Sequence, residues 1–116
     1  MTEAEQTKMV DKESQSKPRY RVRPRHHSGL NRKDKTISYE IHLPGVSKER
    51  VSLKVIPDLF HLEAPREMED SEIIYTVSRY FPYKVDPESI QPSCSNGLLK
   101  FTVKIKDPLD EAIDIK

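Results

Sequence analysis

The chain has 116 residues, enough for one domain. Lys+Arg number 20 and Asp+Glu 19, so a net charge of +1 points to neither nucleic acid, membrane nor an acidic substrate. One cysteine, Cys94, excludes an internal disulfide or a multi-cysteine zinc site.

Residues 1–17 have no aromatics, and their only apolar members are Met1, Ala4, Met9 and Val10. Such a segment cannot bury enough surface to offset its ordering entropy, which predicts a flexible, disordered arm. It also lacks the apolar stretch of a signal peptide. No run in the chain approaches the roughly 18–20 apolar residues of a membrane helix. A cytoplasmic chain with no membrane segment is expected. The hydrophobic fraction of 34%, against roughly 45–50% in ordinary domains, fits polar tails around a modest core.

From Pro18 onward the apolar period is two. Over 36–43, Ile37, Tyr39, Ile41 and Leu43 share one face, with Ser38, Glu40 and His42 on the other. Val51, Leu53 and Val55 alternate likewise, followed by Phe60, Leu62 and Ala64. The pattern continues with Ile73, Tyr75, Val77 and Phe81, then Leu99, Phe101, Val103 and Ile105. Alternation of this kind marks half-buried antiparallel strands. Breakers separate the runs at Pro44-Gly45, Pro57-Asp58, Pro65, Pro82, Asp86-Pro87 and Asn96-Gly97. The spacing predicts strands over 19–23, 36–43, 50–56, 59–64, 72–81, 89–94 and 98–105. It leaves no room for βαβ crossovers, so the expected fold is all-β, a sandwich or barrel. Pro24 and Pro92 lie inside runs and argue for edge positions. Asn96-Gly97 predicts a tight hairpin.

Four stretches then carry a resemblance. Leu43-Pro44-Gly45-Val46 with Ser47-Lys48-Glu49-Arg50-Val51 is similar to the LPGV-x-K-E-x-I stretch of small heat-shock proteins, the α-crystallin-domain family. Phe81-Pro82-Tyr83-Lys84-Val85-Asp86 resembles that family's LP-x-x-V-D turn. Ser89-Ile90 through Asn96-Gly97-Leu98-Leu99 resembles its I-x-A-x-x-x-N-G-x-L hairpin, with Pro92 where alanine is usual. Ile113-Asp114-Ile115 resembles its I-x-I anchor. In this order the pieces span 19–116. The resemblance implies an immunoglobulin-like antiparallel β-sandwich over 18–106, an arm over 1–17 and a flexible tail over 107–116. It implies an ATP-independent holdase, with no enzymatic activity and no cofactor. Such proteins form homo-oligomers, bind unfolded or partly folded clients and cooperate with other chaperones. In that family the isoleucine pair of one chain docks between the fourth and eighth strands of a neighbour. Carried onto this chain, the groove would be lined by Val51, Leu53 and Val55 on one side and Ile90, Pro92 and Cys94 on the other, with Ile113 and Ile115 as the anchor.

The anchor has a simple physical form. In an extended chain Ile113 and Ile115 point the same way, whereas in a helix they lie about 200° apart. Burying both is worth roughly 3–6 kcal/mol gross, offset by about 1–2 kcal/mol for each tail residue ordered. A weak, exchangeable contact strengthened by multivalency is the expectation. A second reading of the tail is a short helix, with Asp107 as its cap and Pro108 at its first position.

Bacterial, plant and archaeal members carry a long loop with an exchanged strand where only 66–72 separates two candidate strands here. Their arm is apolar where this one is short and polar. The alternative is therefore a CS-domain-like co-chaperone or scaffold, which shares the sandwich, lacks the exchanged strand and binds a folded chaperone.

Other residues weigh less. Arg19, Arg21, Arg23 and Arg25 would share a strand face, giving either a basic ribbon for phosphates or an edge strand protected by charge. With little aromatic interleaving, edge protection is preferred. His26-His27 has no ligand-spaced partner nearby and reads as a loop pair, without a metal site. Cys94 reads as a small apolar filler. Glu67, Glu69, Asp70 and Glu72 read as a solvated charge cluster. No Ser/His/Asp order or Gly-rich loop stands out, so no enzyme is expected.

Overall fold

In the computed structural model, residues 17–107 and 115 are described. Residues 1–16 of the arm predicted over 1–17, Ile113 and the tail helix starting at Pro108 lie outside the described residues. Among the described residues, eight strands form two four-stranded sheets. The first holds β1 (Arg19–Val22), β4 (Ser52–Val55), β5 (Leu59–Glu67) and β6 (Glu72–Tyr80) in the order β1-β6-β5-β4. The second holds β2 (His26–Asn31), β3 (Thr36–His42), β7 (Val85–Ser95) and β8 (Leu98–Ile105) in the order β2-β3-β8-β7. All pairings are antiparallel except β1 with β6, which is parallel. The chain is an all-β sandwich.

Alternation explains the core. In β3, Ile37, Tyr39 and Ile41 are buried, while the residues between them face outward or sit half-buried. Phe60, Leu62 and Ala64 of β5 meet Leu99, Phe101 and Val103 of β8 from the opposite sheet. Aromatic rings bind the layers at the centre. Tyr39 stacks on Phe101 at 5.1 Å, and Phe60 meets both edge-on at 4.9 Å and 5.2 Å. Burial pushes the Tyr39 phenol up, with Arg79 partly opposing.

Several expected boundaries move. Residues 26–31, read as a loop around His26-His27, form β2, an outer strand of the second sheet. The sequence hid it because only Leu30 in it is aliphatic. Its turn is built locally: Asn31 Oδ1 accepts the Asp34 N–H at 3.0 Å, and Lys35 takes a positive φ of 57°. The strand expected over 50–56 is shorter, because one 3-10 turn at Lys48–Arg50 precedes β4. Pro65, read as a breaker, lies inside β5 opposite Ile74. The β4 ladder ends at Ser52 opposite Glu63, so at Pro65 no strand stands on that side to need an N–H. Asp86-Pro87, also read as a breaker, lies inside β7, where the register shifts between Asp86 and Gln91. The Ser89 hydroxyl repairs that bulge, accepting the Lys104 N–H at 2.8 Å and donating to the Asp86 carbonyl at 2.7 Å.

Candidate functional site

β4 and β7 are the outer strands of opposite sheets, at the same side of the sandwich. With no further strand beside either among the described residues, the mouth between them stays open. The β4 pattern alternates, so Leu53 and Val55 turn inward while Ser52 and Lys54 face solvent. Val51, Leu53, Val55, Ile90 and Cys94 pack partly against the core and remain half-buried. Together with the exposed ring of Pro92 they line one groove of about 610 Å³. The structure thus brings together all six residues named from the sequence as groove walls. It adds Leu99 as floor, Pro87 at one end, and Lys48 and Glu49 of the 3-10 turn at the rim. Lys48 and Glu49 stood in the LPGV stretch, but only the 3-10 turn turns them to the groove. Cys94, read as a small apolar filler, packs against the core but stays half-exposed, because β7 is an edge strand. Ile115 is 83% exposed, and it does not fill the groove of its own chain.

The other candidates fall elsewhere. The arginine ribbon is broken: β1 ends at Val22, so only Arg19 and Arg21 lie on it, and Arg23 and Arg25 follow in the crossover to β2. Arg19 Nε meets Glu72 Oε1 at 2.9 Å and Arg21 Nη1 meets Glu63 Oε2 at 3.2 Å. Lys17 Nζ adds a contact to Glu67 Oε1 at 3.0 Å. These partners hold the Glu63 and Glu67 carboxyls below the ordinary carboxylate value, chiefly through the Arg21 and Lys17 hydrogen bonds. Glu72, read as part of a solvated cluster, is 7% exposed, with Arg19 and Arg50 on its two oxygens. The pairing of strands folds it under the edge.

His26 and His27 are strand residues. Arg79 donates to His26 Nε2 at 2.8 Å, and His26 Nδ1 reaches the Pro24 carbonyl at 3.0 Å, so the ring spans both sheets. His27 Nε2 meets Glu40 at 3.0 Å. Among the described residues no cluster of three His, Cys, Asp or Glu side chains could hold a metal. None of their helices is long and apolar enough to cross a membrane.

This architecture has solved counterparts. Heat shock protein 16.0 from Schizosaccharomyces pombe is similar at 23% identity, covering 82% of this chain and 84% of its own, with a TM-score of 0.63. A small heat-shock protein from Xylella fastidiosa matches at 15% identity over 82% of this chain and 97% of its own, with a TM-score of 0.65. A mutant of hsp14.1 from Sulfolobus solfatataricus matches at 16% identity, covering 74% and 78%, with a TM-score of 0.63. The fold is the α-crystallin sandwich of small heat-shock proteins. No protein-family model and no curated protein sequence matches the chain. In the α-crystallin sandwich of this chain, β5 and β6 are joined directly by residues 68–71, so no strand stands between them.

Proposed function

We propose that this protein is an ATP-independent holdase acting in the cytoplasm, keeping non-native proteins soluble and assembling with its own copies through Ile113 and Ile115. The observation that carries the reading is the open apolar groove between β4 and β7. Its walls are mostly apolar, and edge-strand backbone on both sides can receive an extended segment. A neighbour's tail and an unfolded client segment would compete for it.

The direction of β8 favours a neighbour. β8 runs beside β7 and ends where Ile105 pairs with Val85, whose N–H reaches the Pro57 carbonyl at 2.9 Å beyond β4. The chain therefore leaves at the Val55 end of the groove. Entering its own groove would require a reversal between Asp107 and Ile113, whereas a second copy presents the groove directly.

Light scattering of a heat-aggregating client tests the holdase. Suppression at a near-equimolar ratio supports it, and none at large excess removes it. Leu53→Asp places a charge at a half-buried position of the groove wall and should lose the suppression while an unchanged far-UV circular dichroism spectrum shows that the sandwich still folds. Gel filtration tests assembly separately: the full chain should elute larger than a chain ending at Asp107.

A CS-domain-like role as a co-chaperone binding a folded partner is the second reading. The direct β5–β6 connection favours it, since no exchanged strand is available to build a dimer. Under that reading client aggregation proceeds unchanged and Leu53→Asp has no effect on it.

A further inference from the structure

At the crossover from β1 to β2, Arg23-Pro24-Arg25 passes from one sheet to the other with Pro24 buried and both arginines exposed. The backbone there is fixed. The Arg25 carbonyl accepts the His42 N–H at 2.9 Å, and the Pro24 carbonyl faces His26 Nδ1 at 3.0 Å. Residues two apart on extended chain project to one side, and Arg23 and Arg25 both line a pocket of about 590 Å³. His42 lines it too, while Val22, Pro44 and Leu98 supply apolar wall.

The charge of this pocket is uncompensated. Arg19 and Arg21 have Glu72 and Glu63, but the guanidiniums of Arg23 and Arg25 have no hydrogen bond or ion pair among the described residues. No carboxylate lines the pocket. Glu40, on the same face of β3 as His42, is engaged by His27 at 3.0 Å. Tyr75, a pocket residue, accepts a hydrogen bond from the Arg66 guanidinium at 3.3 Å. A concave apolar site with a few convergent cations suits an anion carried on an apolar body.

We propose that this pocket binds a small amphipathic oxyanion, a phosphate monoester or carboxylate on an apolar body. Arg23 and Arg25 hold the anionic head through charge-assisted hydrogen bonds, and Val22, Pro44 and Leu98 pack the body. A polyanion is a poorer fit, because the flanking Arg19 and Arg21 are neutralised and the net charge is only +1, which leaves no basic track. The site lies apart from the β4–β7 groove and shares no residue with it.

The test is an NMR titration of the full chain with phenyl phosphate, phenylacetate and inorganic phosphate. Saturable shifts at the Arg23 and Arg25 side-chain N–H groups and the Gly97 and Leu98 amides are expected, with at least one phenyl ligand tighter than inorganic phosphate. Whichever phenyl ligand binds tighter identifies the head group. The double variant Arg23→Gln, Arg25→Gln, at two exposed positions, should weaken binding about tenfold or more, while Arg32→Gln leaves it unchanged. Leu98→Ser should erase the preference for the phenyl ligand. Linear shifts spread equally over Lys33, Lys84 and Lys104, or equal affinity in the double variant, would overturn the proposal.

Discussion

Two glycines hold one end of the sandwich together. Gly45 takes φ +82°, and a Cβ there would collide with the Arg66 side chain. Gly97 takes φ +75° and would bring a Cβ to 3.2 Å from the Leu43 carbonyl oxygen. The two turns touch each other: the Leu43 N–H donates to the Gly97 carbonyl at 2.7 Å. Gly45→Ala should therefore lower unfolding free energy by about 1–2 kcal/mol from the left-handed backbone alone, read as a lower urea midpoint. An unchanged midpoint would mean that the turn is not strained by a side chain. Phe101, 1% exposed and in ring contact with Tyr39 and Phe60, is the other critical position. Phe101→Ala should cost about 3–5 kcal/mol, a large part of the total stability of a small domain. Loss of a cooperative thermal transition is the expected readout. The turn residues and the inward aromatics were legible from residue type and period. The contact between the two turns was not, because the chain between them is most of the domain.

Among elements, β1 is the least secured. Its four residues are all exposed, and only β6 pairs with it, in parallel. What side chains add is ionic: Arg19 with Glu72, Arg21 with Glu63 and Lys17 with Glu67. The Glu63 and Glu67 carboxyls lie below their unfolded value when β1 is docked. Their contribution is therefore fully present above the unfolded carboxylate value and is lost as pH falls through the lowered folded values. Hydrogen exchange at the β1 amides should quicken as pH drops below about 4, relative to β8 corrected for intrinsic rate. Raised salt at neutral pH should act in the same direction, since these pairs are exposed enough to be screened. Equal protection of β1 and β8 across this range would contradict the account. β1 was readable as a charged strand, but its parallel pairing was not, because period two carries no strand direction. β2 was missed for the opposite reason: its outward face is polar and its inward face is nearly bare of aliphatic residues. β7 was shortened because Asp86-Pro87 looks like a stop, while the Ser89 hydroxyl that carries the ladder past it is a tertiary contact.

At the scale of the whole molecule, the groove is where two open edges meet. Cys94 reports on it, being half-exposed in its wall. If tails of neighbouring copies fill grooves, maleimide labelling of Cys94 should slow as protein concentration rises. For a chain ending at Asp107 the rate should not depend on concentration. A concentration-independent rate in the full chain would remove the tail from the groove. Because each tail contact is weak, labelling should slow gradually rather than stop.

The sequence by itself determined the inward and outward face of most strands, since alternation is a property of the extended chain and one face must leave water. It also placed the hairpin at Asn96-Gly97, where local backbone preference decides. Its six groove residues were legible through the family resemblance, as two runs of three alternating positions, without any sign of the space between them. Only the tertiary structure decided that β4 and β7 are both outer strands facing one mouth, that Glu72 is buried beneath Arg19 and Arg50, and that Arg23 and Arg25 line a pocket apart from the β4–β7 groove. Sheet order and ion pairing join residues far apart along the chain, and no local period records which edges remain open.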